Sequence, residues 1–546
     1  MMKRRRTFIG VLAMALLLAL VAGLGPVSSE AANAHRSLAN RGDDSYNALA
    51  IGVPWEDLGK APVVEDAGAV NVLYSSASGL SDGGDQLWHQ DSSGVVGQAE
   101  NFDTFGAALA AGDFNGDGYT DLAVGIPGED IDTTSGAGAV HILYSSAGRL
   151  SAVGDEMWHQ GTPGVEGAVE VGDMFGHALA AGHFNGDGYD DLAIGVPYED
   201  HGTENNSGAV NVLYGCSGGL SAAGDQIWDQ DDFYASSTEP GDLFGYALAV
   251  GYFDADGYAD LAVGAPGEDW GATVDTGSVN VLYGTSTGLS DAGGETWSQN
   301  DASIDDSAEE YDQFGHALAA GDFDNDGYDD LAVGVPGESV EGKSSAGAVN
   351  VLYSASTGLL GVGSDFWHQE MPYVPDGPES GDRFGFALAA GDFDGNGCAD
   401  LAVGVPDEGI GLVAEAGAVN VLHGTTMGLS CDPPTFWHQG IWPGTAGEEE
   451  NDRFGRVLAG GDFDGDGYDD LAIGVPYEDI GAKVDAGAVN VVYGSGSGLG
   501  DNLQFWHQDS SGISGAAEES DGFGSALIAI PTVKRKVYLP LALRNP

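Results

Sequence analysis

The chain has 546 residues, of which 85 are acidic and 17 basic, for a formal net charge of -68. Four of the basic residues stand in the first six positions and four in the last 13, so nine are left for everything between. So negative a surface repels phosphate backbones and anionic headgroups, which excludes nucleic acid as a partner and argues against docking on a membrane surface.

In chain order, the first element is a leader. Lys3 to Arg6 form a positive start, residues 8–24 an apolar core, and Ala32-Asn33-Ala34 a small-residue cleavage site. The apolar run is shorter than the roughly 20 residues a membrane helix needs. The expectation is therefore a signal peptide over 1–34 and a protein that is secreted or held at the cell surface, with no membrane span after cleavage. Arg41-Gly42-Asp43 follows in a stretch rich in glycine and aspartate, and reads as coincidence rather than a receptor motif.

From residue 35 the chain is periodic. A loop that reads D-F-N-G-D-G-Y-T-D from Asp113 returns at His183, Tyr252, Asp322, Asp392 and Asp462, at steps of 69 or 70 residues. Oxygen-bearing side chains fall at alternate positions, then a glycine, a backbone carbonyl and a final aspartate. In the first loop these are Asp113, Asn115, Asp117, the Tyr119 carbonyl and Asp121. Alternate oxygens wrap one hard cation, and a glycine at the sixth position permits the turn that brings the ends together. The predicted cofactor is calcium, in up to six sites. No glutamate follows at position twelve, and strand formers rather than helix formers come next, so each loop belongs to a hairpin.

The other five ligand sets follow the same register. They are Asn185, Asp187, Tyr189 and Asp191; Asp254, Asp256, Tyr258 and Asp260; Asp322, Asp324, Asp326, Tyr328 and Asp330; Asp392, Asp394, Asn396, Cys398 and Asp400; and Asp462, Asp464, Asp466, Tyr468 and Asp470. Affinity follows carboxylate count. The Asp322 and Asp462 loops, with four carboxylates each, are expected to bind tightest. The His183 loop, which opens on an imidazole, is expected to be weakest.

Each repeat carries four apolar runs, as at Phe105, Asp121, Ala139 and Met157. Four short strands per unit are a propeller blade. Phe-Gly pairs begin at Phe105, Phe175, Phe244, Phe314, Phe384, Phe454 and Phe523, and Gly-x-Pro endings fall at Pro54, Pro127, Pro197, Pro266, Pro336, Pro406 and Pro476. The first unit lacks a Phe-Gly strand and the last Phe-Gly strand lacks a loop. The two fragments complete one blade, which predicts an all-β, seven-bladed propeller over 35–530, closed by pairing the C-terminal Phe-Gly strand with the N-terminal blade.

The Phe-Gly and Gly-x-Pro strands flanking D-x-D-x-D-G-x-x-D loops resemble the FG-GAP repeats of the integrin alpha-subunit β-propeller. The resemblance implies calcium loops between first and second strands on one face, with partners engaged on the opposite face. Leg domains, a membrane helix and room for an inserted adhesion domain are absent, so the expectation is a stand-alone, secreted integrin-like protein. The expected partner is an extracellular protein or glycan, bound at second-to-third strand loops such as 128–136 and at connections between blades such as 90–104. Repeat-breaking aromatics in such stretches, Phe233, Tyr234, Trp270, Tyr373 and Trp442, are candidate anchors; each can equally pack over its own blade.

Other motifs read as structural. Gly215-Cys216-Ser217-Gly218-Gly219 fits a nucleophile elbow only on paper, because it sits in a turn after a strand rather than before a helix. His89, His159, His368, His438 and His507 follow the fourth-strand tryptophan with the period of the repeat, as packing groups do. Cys216, Cys398 and Cys431 share no repeat position, so they are free thiols or one incidental pair. The tail from Pro531 turns basic and then apolar and is too short to span a bilayer. The reading is a calcium-stabilised binding or adhesion module, not an enzyme. The alternatives are a secreted hydrolase on a propeller or a structural envelope protein.

Overall fold

The computed structural model describes residues 47–532, apart from 60–61, 234–237, 442–446 and 501. The leader, the Arg41-Gly42-Asp43 tripeptide, Tyr234, Trp442 and nearly all of the tail therefore lie outside the described residues. Among the described residues no helix is long and apolar enough to cross a membrane.

Seven four-stranded antiparallel sheets make up the described chain, each an up-and-down meander. In the second blade the strands are Ala108–Gly112, Asp121–Ile126, Ala139–Ser146 and Arg149–Trp158. The second strand is buried at every position. That is why it reads as an unbroken apolar run rather than an alternating one: a neighbouring blade covers each of its faces.

The fourth strand corrects the expectation. The sequence placed it at the apolar run from Met157, whereas it begins eight residues earlier at Arg149 and ends at Trp158. Its first half is the outer rim, where exposed small and polar residues hide the strand from an apolar count. A register shift between Ile142 and Tyr144 bends it there.

The ring closes as the counting of motifs requires. Ala526–Pro531 pairs antiparallel with Asn47–Val53, from Gly52 opposite Ala526 to Asn47 opposite Pro531. The strand runs one residue past the expected limit at Ile530. A proline is tolerated at that terminal place because no ladder bond beyond it needs a donor. First strands of successive blades touch in an unbroken circuit, and Ala526–Pro531 completes it against Ala108–Gly112.

The seams between blades hold the core. Seven apolar clusters each draw on two adjacent blades, as Phe114, Val140 and Ile142 of the second meet Phe175, Ile194 and Leu213 of the third. The Phe-Gly and Gly-x-Pro motifs are the two halves of this joint. A β-carbon on Gly125 would come within 2.2 Å of the Gly176 carbonyl oxygen, and Gly176 itself holds φ at +92°. Neither position accepts a side chain, and the Phe175 ring beside them is fully buried.

Candidate metal centre

Each aspartate loop joins the end of a first strand to the start of a second, so all six lie on one face of the ring. The loop is built by its own carboxylates. In the fifth blade Asp322 accepts hydrogen bonds from the Asp326 and Gly327 amides at 3.0 and 2.9 Å. Asp324 accepts from Asp326 at 3.0 Å, and Asp326 from Tyr328 at 3.0 Å. Gly327 supports the turn with φ at +103°.

The same bonds recur in the other loops, which locates the predicted ligands one by one. The Gly118, Gly397 and Gly467 amides donate to Asp113, Asp392 and Asp462. Third-position oxygens of Asn115, Asn185, Asp254, Asp394 and Asp464 accept from the amide two residues on. Fifth-position oxygens of Asp117, Asp187, Asp256, Asn396 and Asp466 accept in turn from Tyr119, Tyr189, Tyr258, Cys398 and Tyr468. These turns aim the side-chain oxygens around one small volume.

The last aspartate has a second task that motif spacing did not disclose. Asp330 is fully buried; its Oδ2 accepts from Phe323 within the loop, and its Oδ1 from Ser354 at the end of the third strand, both at 2.9 Å. Asp121, Asp191, Asp260, Asp400 and Asp470 make the equivalent pair of bonds. Burial pushes these carboxyls up, Asp121, Asp260 and Asp330 to about 8 and Asp470 to about 9. Carboxylates crowded with like charge away from water call for a cation.

In two loops three carboxylates stand close enough to share one cation. Asp322, Asp324 and Asp330 offer oxygens within 4.8 Å of one another, and so do Asp462, Asp464 and Asp466. An all-oxygen set of this kind suits a hard cation such as calcium. In the sixth blade the gathered group is Asp394, Asp400 and His423. His423 stands where other blades carry the tyrosine of the third strand, and its Nδ1 lies 3.7 Å from Asp400. The sequence reading missed it, although the histidine in A-V-N-V-L-H is visible as a break in the repeat.

His183 turns toward Asp190, with Nδ1 at 3.4 Å from Oδ1, and that neighbour raises the imidazole above its ordinary range. Successive loops are also tied together. Asp190 Oδ2 accepts from the Asp113 amide of the previous blade at 2.7 Å, as Asp329 does from Tyr252 and Asp469 from Asp392.

Of the aromatic candidates, Trp270 is 44% exposed at the tip of a second-to-third strand loop and Tyr373 is 67% exposed between blades. Phe233 is instead buried, its ring tilted against that of Phe244 at 6.1 Å between centroids, so it belongs to a seam. Phe102 and Tyr311, both more than half exposed, were overlooked. Each directly precedes the aspartate of an Asp-x-Phe-Gly start. Residues just after Phe-Gly form a row from blade to blade, in which His177, Tyr246, His316 and Phe386 follow one another at 4.8 to 5.2 Å between centroids. Arg456 completes the row over Phe386 at 4.9 Å.

A family model described as FG-GAP repeat matches residues 105–143, 175–213, 244–282, 314–352, 384–422 and 454–492. Each match starts at a Phe-Gly pair and runs through the aspartate loop into the third strand. The chain belongs to the FG-GAP repeat family. Among curated relatives of this FG-GAP propeller, integrin alpha pat-2 of Caenorhabditis briggsae is 33% identical over 268 residues, 46% of this chain and 20% of that protein. Integrin alpha-5 of Xenopus laevis is 31% identical over 243 residues, 44% of this chain and 20% of its own length. Phosphatidylinositol-glycan-specific phospholipase D of Rattus norvegicus is 34% identical over 173 residues, 32% of this chain and 20% of that enzyme. The chain thus spans about a fifth of these relatives.

Proposed function

We propose that this FG-GAP propeller is an extracellular calcium-binding interaction module of the cell-adhesion type, with calcium as fastener and the opposite face as reader. One observation carries the reading: several aromatic and arginine side chains that break the repeat, Tyr311, Arg383 and Phe386 among them, gather on the face away from the aspartate loops. A hollow of about 350 Å³ there is lined by Tyr311, Gln313, His316, Arg383 and Phe386. Aromatic and arginine side chains beside a few amides are the usual makings of a recognition surface. The likeness to integrin alpha chains and the leader at 1–34 support an extracellular setting.

The calcium ranking proposed is the Asp322 and Asp462 loops first and the His183 loop last. Proteins and glycans are the proposed partner classes. The test is an array of extracellular proteins and glycans probed with the full chain in calcium and in chelator, beside Tyr311→Ala/Arg383→Ala. Binding that needs calcium and falls at least tenfold in the variant supports the reading; binding untouched by the variant moves the reader elsewhere. A second reading, a hydrolase carried on a propeller, draws on the phospholipase D match alone, and turnover of a phosphodiester by the purified chain would favour it.

A further inference from the structure

The sixth blade departs from the others where its third strand, Ala418–Thr425, comes back beside the aspartate loop. His423 holds the place that Tyr74, Tyr144, Tyr214, Tyr283, Tyr353 and Tyr493 hold elsewhere. In five of those blades the tyrosine hydroxyl accepts from a leucine amide of the next blade, as Tyr353 does from Leu429 at 3.0 Å. His423 turns back into its own blade instead. Its Nε2 lies 3.1 Å from Thr435 Oγ1, and its Nδ1 lies 3.7 Å from Asp400 Oδ1. The exchange costs the seam a bond and gives the aspartate loop a nitrogen.

That nitrogen is well placed to hold a metal. Asp394, Asp400 and His423 each bring a ligand atom within 4.8 Å of the other two, and theirs is the only such group among the described residues to contain a histidine. With Nε2 donating to Thr435, Nδ1 keeps its lone pair on the carboxylate side, the support that metal-bound imidazoles usually receive. Asp400 is fully buried, its oxygens taking the Gly424 and Phe393 amides at 2.8 and 3.0 Å. Each oxygen keeps a second lone pair for an ion. A further sign is confined to this loop. Of the buried carboxylate oxygens in the six loops, only Asp392 Oδ1 has no hydrogen-bond partner of normal geometry among the described residues. Buried acceptors are normally paired. The fifth position meanwhile carries no charge: Asn396 accepts from Cys398 at 2.7 Å and donates to the Gly424 carbonyl at 3.1 Å. Set against the Asp322 loop, this one has exchanged a carboxylate for an amide and added an imidazole.

We propose that the sixth-blade loop selects zinc over calcium, bound by His423 Nδ1, Asp394 and Asp400, with water in the remaining place. Calcium takes oxygen donors and leaves the imidazole unused, whereas zinc accepts nitrogen and carboxylate oxygen together. Zinc bonds of about 2.0–2.2 Å to each span the 3.7 Å between Nδ1 and Asp400. The ion ties the third strand to the loop, and the ring carries two kinds of metal. The inference rests on the reading that the aspartate loops hold cations.

The experiment dialyses the full chain against zinc in millimolar calcium and counts both metals by mass spectrometry. The parent should keep a single zinc per chain. His423→Tyr, the residue of the other blades, should fold, with circular dichroism as the check, and lose that zinc with no loss of calcium. Cobalt in place of zinc should give the parent a visible absorption band that His423→Tyr lacks. Thr435→Val, which removes the partner of Nε2, should weaken zinc about tenfold or more. His201→Gln, at an exposed histidine that also stands beside two aspartates, should keep the full zinc count. A parent that holds calcium but no zinc overturns the assignment, as does zinc retained by His423→Tyr or lost equally in His201→Gln. A parent that holds neither metal overturns the reading of the loops as well. If His423→Tyr misfolds, crystals of the parent soaked in zinc decide: anomalous scattering at the zinc edge between His423, Asp394 and Asp400 upholds the site, and none refutes it.

Discussion

A single carboxylate in this fold holds backbone as well as charge. Asp330 satisfies two buried amides, and removing it leaves both without a partner, at about 1–3 kcal/mol each. Asp330→Ala should therefore lose stability in urea melts with chelator present as well as with calcium. A loss seen only in calcium would reduce the residue to a metal ligand. Glutamates buried at the seams, each accepting from a glutamine at the end of the preceding blade as Glu338 does from Gln299, make a second prediction. Burial raises Glu129 to about 8 from an ordinary value of 4.5. The folded state then holds a proton that the unfolded chain releases, so this contribution is full below about pH 4.5 and lost as pH rises through about 8. At saturating calcium the melting temperature should fall between pH 6 and 9, and Glu129→Gln should flatten that fall. A melting temperature equally steep in the variant would clear Glu129 of the effect. Legibility at this scale was uneven: alternate aspartates announce a cation, because ligand geometry is local. The bond from Asp330 to Ser354 crosses 24 residues and leaves no spacing to read.

The strand is where the repeat explains itself. Phe-Gly and Gly-x-Pro were readable as motifs, yet their pairing was not, since Gly125 meets Gly176 only when two blades are stacked. Gly125→Ala forces a β-carbon against backbone and should cost about 1–3 kcal/mol, as overpacking does. Gly377→Ala, at an exposed position with open space around it, serves as the near-neutral control. Comparable losses in the two variants, by urea denaturation, would remove the joint as the reason for the motif. Second strands were legible because both faces are buried, and the outer strands were not, because the exposed half of Arg149–Trp158 carries no apolar signal. Glu338 and Gln299 were passed over for a related reason. They look like ordinary polar ends of strands until the seam buries them.

At the scale of the whole molecule, seven blades were countable because the motifs number seven and the two incomplete units complement each other. The ring is held shut by three kinds of bond between its ends: the ladder of Ala526–Pro531 on Asn47–Val53, the Leu80 amide on the Tyr493 hydroxyl at 3.0 Å, and Gln508 on Glu56. A chain ending at Ser525 should lose cooperative melting and run as dimers or larger species in gel filtration, because an unpaired inner strand seeks another. Elution as a stable monomer would show that the closing strand is dispensable. The ladder also sets a timetable. Six complete blades lie between Asn47–Val53 and its partner along the chain, so all of them must be made before the circle can form. Until then the youngest protein carries its oldest strand uncovered, and crowding of nascent copies puts that strand at risk of finding a stranger first.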